Sequence, residues 1–161
     1  MKTIFFLNLM GLLSFVNCHN KTVNTNMNKD NKVVVKLKIK HSNEKIMAVL
    51  RVENTGPINV YIDKLLIGYD AGPLSADVFV VESKGKEVDY NGLMVKRGKP
   101  DKDDFILLTT NKSIESSIDL TDNYAFVKNM VYTIRYQAIH QSPEDDSVLN
   151  ELVSNTEEIK Y

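Results

Sequence analysis

Apolar residues recur at every second position in three stretches of the chain, at residues 33–41, 46–52 and 130–140. In the first stretch the apolar positions are separated mainly by lysines, namely Lys36, Lys38 and Lys40. A repeat of two residues is typical of a β-strand with one buried face, because successive side chains point to opposite sides of the strand. The turn-forming sequence at residues 54–57 ends the second stretch. The pattern therefore predicts three half-buried strands.

Shorter apolar runs predict further strands, at residues 58–67, 77–82, 105–108, 114–120 and 152–161. Residues 105–108 are apolar throughout and are expected to be buried, residues 83–86 predict a hairpin turn, and residues 147–153 allow a single helical turn. Many short strands separated by turns predict an all-β fold, an immunoglobulin-like antiparallel β-sandwich of about 7–9 strands. Tyr132 opens a late strand, where such sandwiches often place a buried tyrosine that bonds to the backbone.

Residues 1–17 predict a signal peptide. The apolar core at residues 4–16 is about 13 residues long, which suits a signal peptide but falls short of the roughly 20 residues of a membrane span. Cys18, the one cysteine of the sequence, follows this core. A cysteine there predicts processing as a bacterial lipoprotein with acylation of Cys18, although Asn17 replaces the usual small residue. Plain secretion and a retained anchor are the alternatives, and contact with a membrane is expected only through a lipid on Cys18.

Residues 18–32 predict a flexible tether, because this asparagine-rich segment has too few apolar residues to offset the entropy of ordering it. Residues 33–161 then make up one domain. Since a single cysteine allows no disulfide within the chain, an apolar core has to hold this domain together. The net charge of −1 gives no general attraction to nucleic acid, and we interpret the lysine row as a solvated strand face that discourages pairing with other chains.

The sequence offers no arrangement of residues that is typical of a catalytic or metal site. Its three histidines, His19, His41 and His140, fall in the tether, in a turn and at a strand end, and no HExxH motif occurs. A zinc site needs three or four well-spaced ligands. The acidic clusters at residues 101–104 and 144–146 do not follow the pattern of a calcium-binding loop. We therefore expect a protein that is not an enzyme and that holds neither cofactor nor metal.

Eight short motifs follow one another along the chain: LRVENT, SADVFVV, GKEVDYNG, MVKRGKP, DFILL, IDLTDNY, YTIRY and LVSN. In this order they resemble the β-sandwich domain that precedes the catalytic domain in secreted zinc endopeptidases of the deuterolysin (aspzincin) type. The resemblance spans roughly residues 33–161. One departure is the turn at residues 110–112, which reads Thr-Asn-Lys where the family usually has Pro-Gly-Glu.

The resemblance implies a non-catalytic, propeptide-like module without its protease. Such domains cover the active site or assist folding of the catalytic domain. We therefore expect an exported binding module that inhibits or chaperones a secreted zinc endopeptidase, held at the bacterial cell envelope as a lipoprotein or else secreted. The alternative is a structural or adhesive cell-envelope domain, or the remnant of a longer metallopeptidase.

Lys96 and Arg97 are the residues that we single out as a partner-binding candidate, together with Asp103 and Asp104. One interpretation is that the two cations pair with these carboxylates and hold a loop. The other is that they dock onto an acidic partner surface, since the guanidinium of arginine binds carboxylates with two parallel hydrogen bonds. An exposed apolar patch at the neighbouring residues 93–95 would favour the partner interface.

Overall fold

The computed structural model describes residues 26–27, 32–42, 44–69, 74–145 and 147–161. The predicted signal peptide, Cys18, His19 and most of the predicted tether lie outside these ranges. Within the tether, the structure describes residues 26–27 and Lys32, and residues 26–27 pair in parallel with residues 148–149. No helix among the described residues has the length and apolar character that crossing a membrane would require.

The described residues form ten strands and one short 3-10 helix, Lys102–Asp104. The strands are β1 Asn26–Met27, β2 Val33–Ser42, β3 Lys45–Asn54, β4 Val60–Asp63, β5 Phe79–Ser83, β6 Lys86–Glu87, β7 Phe105–Leu108, β8 Ser113–Asp119, β9 Val131–Gln141 and β10 Val148–Lys160. The neighbour order is β6-β5-β9-β10-β2-β3-β8, with β1 beside β10, while β4 and β7 form a small separate sheet. The predicted all-β sandwich is therefore confirmed.

The two layers of the sandwich meet where β10 passes from β9 to β2. Only Ser154 of β10 pairs directly with β2, at Val35, and the register of β10 on β9 shifts between Val153 and Thr156. At this bulge the Asn155 side chain takes the place of a neighbouring strand. Its Oδ1 accepts the Leu37 N–H at 2.8 Å and its Nδ2 donates to the Leu37 carbonyl at 3.0 Å. One amide side chain thus satisfies both backbone groups at the junction.

The core lies between the two layers and is lined by the residues that the alternation predicts. One layer contributes Ile46, Ala48, Leu50 and Val52 of β3, and the other contributes Tyr132, Ile134, Tyr136 and Ala138 of β9. All of them belong to a single apolar cluster. The predicted tyrosine contact is present as well, because the Tyr132 hydroxyl accepts the Val127 N–H at 2.6 Å and lies 3.2 Å from the Val127 carbonyl oxygen.

Three local predictions need correction. Residues 147–153 do not form a helical turn, because β10 begins at Val148 and pairs with β9 in an antiparallel ladder. Of residues 58–67, only β4 is a strand, and turns follow it. The apolar run of β7 is not wholly buried, since Leu107 is 47% exposed. An apolar run alone does not reveal which of its residues the rest of the fold leaves uncovered.

Gly68 provides a test of the packing between the turn after β4 and the sheet. Its φ is +58°, and a Cβ at this position would lie 2.7 Å from Cγ1 of Ile118. Because backbone strain and overpacking add, we expect Gly68→Ala to lower the free energy of unfolding by about 3 kcal/mol. Urea denaturation measures the loss.

Gly85 is the matched control, because its φ is +71° but a Cβ there would meet no atom within 4 Å. Gly85→Ala should therefore cost only the backbone strain, about 1 kcal/mol. Equal losses in the two variants would show that contact with Ile118 contributes nothing.

Candidate functional site

The loop between β6 and the 3-10 helix carries an exposed apolar segment. This 91–101 loop follows Tyr90, which makes an isolated β-bridge with Tyr124, and it contains no strand or helix. Within it the side chains of Leu93, Met94 and Val95 are 59%, 73% and 52% exposed. We call residues 93–95 the apolar segment. Three consecutive exposed apolar side chains are unusual because a strand packed on a core buries every second residue.

The backbone around the apolar segment is tied to the domain by three hydrogen-bonding contacts. The Tyr90 hydroxyl lies 2.8 Å from the Leu93 carbonyl oxygen and 3.0 Å from that of Leu74. The Val95 N–H donates to the Ser75 carbonyl at 3.0 Å, and the Asn91 N–H donates to Asn123 at 2.8 Å. The loop is thus exposed in its side chains and held in its main chain.

Gly92 is required by this close approach. A Cβ at this position would collide with the Asn123 side chain and with the ring and hydroxyl of Tyr90. Only a residue without a side chain allows Tyr90 to lie against the loop and reach the Leu93 carbonyl. The tyrosine and the glycine therefore act together in shaping the loop.

Arg97 ties the other end of the segment to the core. Its guanidinium forms an ion pair with Asp63, the last residue of β4, which is only 3% exposed. Asp63 also accepts the Leu65 N–H at 2.9 Å through Oδ1, and its own N–H donates to Nδ1 of His140 at 3.1 Å. A buried carboxylate is costly unless it is paired and hydrogen-bonded. The requirement of Asp63 for a cation therefore draws Arg97 inward.

His140 continues this network into the core. Its Nε2 lies 2.8 Å from the Tyr136 hydroxyl, and neither residue has any exposed surface. Because Nδ1 accepts the Asp63 N–H, the neutral imidazole carries its proton on Nε2 and donates it to Tyr136. Burial, with the nearby charge of Arg97, lowers the pKa of His140 to about 4, and burial raises the pKa of Tyr136. The imidazole is therefore neutral in the folded protein around neutral pH.

The structure gives the four predicted partner-binding residues different contacts. Lys96 is exposed and forms no ion pair within the described ranges. Arg97 forms its ion pair with Asp63. The prediction that it pairs with Asp103 or Asp104 is therefore wrong.

Asp103 and Asp104 both lie in the 3-10 helix, and the carboxylate of Asp104 is used locally. Asp104 Oδ2 accepts the Asp101 N–H at 3.0 Å, and the Asp103 N–H donates to Asp101 Oδ1 at 2.9 Å. These bonds satisfy the first backbone donors of the helix. A role for the four residues in binding a partner stays a prediction.

The sequence reading missed Asp63, Tyr136 and His140. Asp63 ends an apolar strand, and nothing in its local sequence indicates an ion pair with a residue 34 positions away. His140 did carry a signal, because it continues the buried face of β9 in steps of two from Ala138. Among the described residues, no group of three or more His, Cys, Asp or Glu side chains is placed to hold a metal ion.

Comparison with known proteins finds a distant similarity to an extracellular protease. No protein-family model matches the chain. It is 31% identical over 98 residues to a protein of Aeromonas hydrophila named "Extracellular protease". The match covers 61% of this chain but 28% of that protease, so the chain spans little more than a quarter of its relative's length. This distant similarity indicates a protease-associated context and agrees with an exported protein.

The buried imidazole predicts that acid destabilises the domain. The pKa of His140 falls from an ordinary 6.5 to about 4 on folding. Between these two values the unfolded chain binds a proton that the folded chain does not, so stability is lost as pH falls through this window. The expected loss is about 3 kcal/mol, measured by urea denaturation at several pH values.

His140→Gln is the control for this pH dependence, because its amide does not titrate. The variant should start from a lower stability but lose less of it on acidification. If both proteins lose the same free energy over this range, His140 does not cause the effect.

Substitutions of the neighbouring cations Lys96 and Arg97 should differ in their effect on the free energy of unfolding. Arg97→Ala leaves the buried Asp63 carboxylate without its cation, so we expect a loss of about 3 kcal/mol in the free energy of unfolding. Lys96→Ala changes an exposed side chain that has no ion-pair partner among the described residues, and its effect should stay within about 0.5 kcal/mol. Thermal or urea denaturation of both variants measures the two losses. Equal losses would show that the ion pair with Asp63 gives Arg97 no greater role in stability than Lys96.

Proposed function

We propose that this protein is a non-catalytic, exported binding domain that modulates a secreted zinc endopeptidase, and that the 91–101 loop makes the contact. The observation that carries the proposal is the apolar segment, with Leu93, Met94 and Val95 each more than half exposed. Contiguous apolar side chains at a surface are typical of sites where a protein meets a partner. The similarity to an extracellular protease and the ordered motifs of the deuterolysin type support the choice of partner.

The contacts that hold the backbone of the 91–101 loop in place also support a binding role. Ordering a flexible loop on association costs free energy, and a loop that is already ordered avoids most of that cost. Tyr90, Val95 and Arg97 hold the 91–101 loop from both sides of its exposed tip. Met94, the most exposed of the three apolar residues, is an adaptable side chain that fits irregular pockets.

Lys96 adds a charged contact beside the apolar segment. It is exposed, and it has no carboxylate partner in the part of the chain that the structure describes. A free ammonium at the edge of an apolar contact steers association with an acidic surface more than it adds to affinity. Arg97 instead holds the loop through its ion pair with Asp63, and Asp104 caps the 3-10 helix that follows the loop.

A titration of the purified protein against a deuterolysin-type zinc endopeptidase, read with a fluorogenic peptide substrate, tests the proposal. We expect a dose-dependent change in peptidase activity, and its sign separates inhibition from assistance of folding. Met94→Asp should weaken binding at least about tenfold, because it places a charge in the apolar contact.

The matched control is Val127→Asp, since Val127 is also an apolar residue with 61% exposure but lies outside the loop. It should bind like the unchanged protein, and both variants should melt at similar temperatures. If the unchanged protein neither binds nor alters the peptidase, the proposal fails. The structural or adhesive envelope domain, or the remnant of a longer peptidase, then takes its place.

A further inference from the structure

We propose that the apolar segment occupies the substrate-binding cleft of the endopeptidase as a peptide would. The contacts of Tyr90, Val95 and Arg97 that hold the 91–101 loop, which we call its anchors, protect the segment from being cut. This inference rests on the proposed function and specifies where on the partner the domain binds. Its starting point is the exposure of three successive side chains, at 59%, 73% and 52%. Since three successive residues cannot all point to one side of the chain, their exposure leaves the segment open to a partner on more than one side.

The backbone conformation suits such a cleft. None of residues 93–95 is among the described residues with a positive φ. The segment is also free of strand pairing along its length. A segment that is not paired with a strand and that exposes its side chains is what a cleft that binds peptides in strand form accepts.

The anchors lie on the two peptide bonds that flank Met94. The Leu93 carbonyl oxygen, which belongs to the bond between residues 93 and 94, is held by the Tyr90 hydroxyl at 2.8 Å. The N–H of Val95, which belongs to the bond between residues 94 and 95, donates to the Ser75 carbonyl at 3.0 Å. A peptidase therefore meets both bonds with one polar group already engaged by the domain.

Hydrolysis requires movement that these anchors oppose. Cutting the bond between residues 93 and 94 consumes one water molecule, whose hydroxyl adds to the Leu93 carbonyl carbon and whose proton goes to the Met94 nitrogen. The carbonyl oxygen then has to move out of plane and the two new ends have to separate. Tyr90 holds the oxygen on one side of the break, while Val95 and Arg97 hold the chain on the other. Because the domain holds the two new chain ends close together, they re-form the peptide bond or block the active site of the peptidase instead of leaving it.

Asp63 is a positioning residue in this scheme. It is 3% exposed and cannot touch a partner, but its ion pair with Arg97 fixes the loop beyond the apolar segment. Weakening this pair or removing the Tyr90 hydroxyl should loosen the segment without changing its exposed side chains. The loosened segment should then behave as a substrate.

The first measurement varies substrate concentration at several concentrations of the full-length protein. Occupancy of the cleft raises the KM of the peptidase and leaves kcat unchanged. A lower kcat at constant KM means that the domain binds outside the cleft, which overturns this inference while the proposed function stands. Absence of any effect together with absence of binding removes the proposed function and this inference with it.

The second measurement follows the integrity of the chain by mass spectrometry during incubation with the peptidase. The unchanged protein should stay intact, whereas Tyr90→Phe should be cut within residues 93–95 at least about tenfold faster and lose its effect with time. Tyr61→Phe is the control, because it also removes a tyrosine hydroxyl bond, to Glu144, but away from the loop. It should stay intact.

Asp63→Asn serves as a second loosened variant if Tyr90→Phe does not fold, with circular dichroism as the check on folding. A folded loosened variant that resists cutting as well as the unchanged protein overturns the protective role of the anchors. Rapid cutting of the unchanged protein within the apolar segment overturns it as well. Cutting only at other sites overturns occupancy of the cleft by this segment.

Discussion

A carboxylate buried in an apolar core has to find a cation, and in this domain that requirement connects the core to the surface. Asp63 lies at the end of β4 between the sandwich and the 91–101 loop. Its backbone N–H reaches His140 on β9, and its carboxylate reaches Arg97 in the loop. Because an unpaired charge here would cost several kcal/mol, the loop cannot leave its position without destabilising the core. The conformation of an exposed segment is therefore set from inside the molecule.

The same logic explains why several polar side chains occur at the margins of this core. The centre is filled by alternating aliphatic and aromatic residues of β3 and β9. Polar side chains take over where strands end or change partners: Asn155 at the junction of the layers, Tyr132 at the start of β9, and Asp63 at the end of β4. Each satisfies backbone or charged groups that a regular ladder leaves open. In one place, Ser116 Oγ, a buried hydroxyl has no hydrogen-bond partner among the described residues.

The strands could be predicted from sequence because a two-residue repeat is a local property. Val35 and Leu37 on β2 and Leu50 and Val52 on β3 are buried as their spacing indicates. The helical turn at residues 147–153 was wrong because pairing with β9 overrides a weak local preference. The prediction of the ion-pair partner of Arg97 was wrong for a related reason. Asp103 and Asp104 are close in sequence, but the cost of leaving Asp63 unpaired depends on burial, which only the folded chain creates.

The junction at Asn155 has a consequence for how the chain is made. Leu37 and Asn155 are 118 residues apart in sequence, and β10 is the strand that joins one layer to the other. A ribosome synthesises β10 after the other described strands, so the two layers cannot be joined before β10 has been made. Until then β2 and β9 present unpaired backbone edges to their surroundings. The long-range contact between the layers can therefore form only once this late strand is in place.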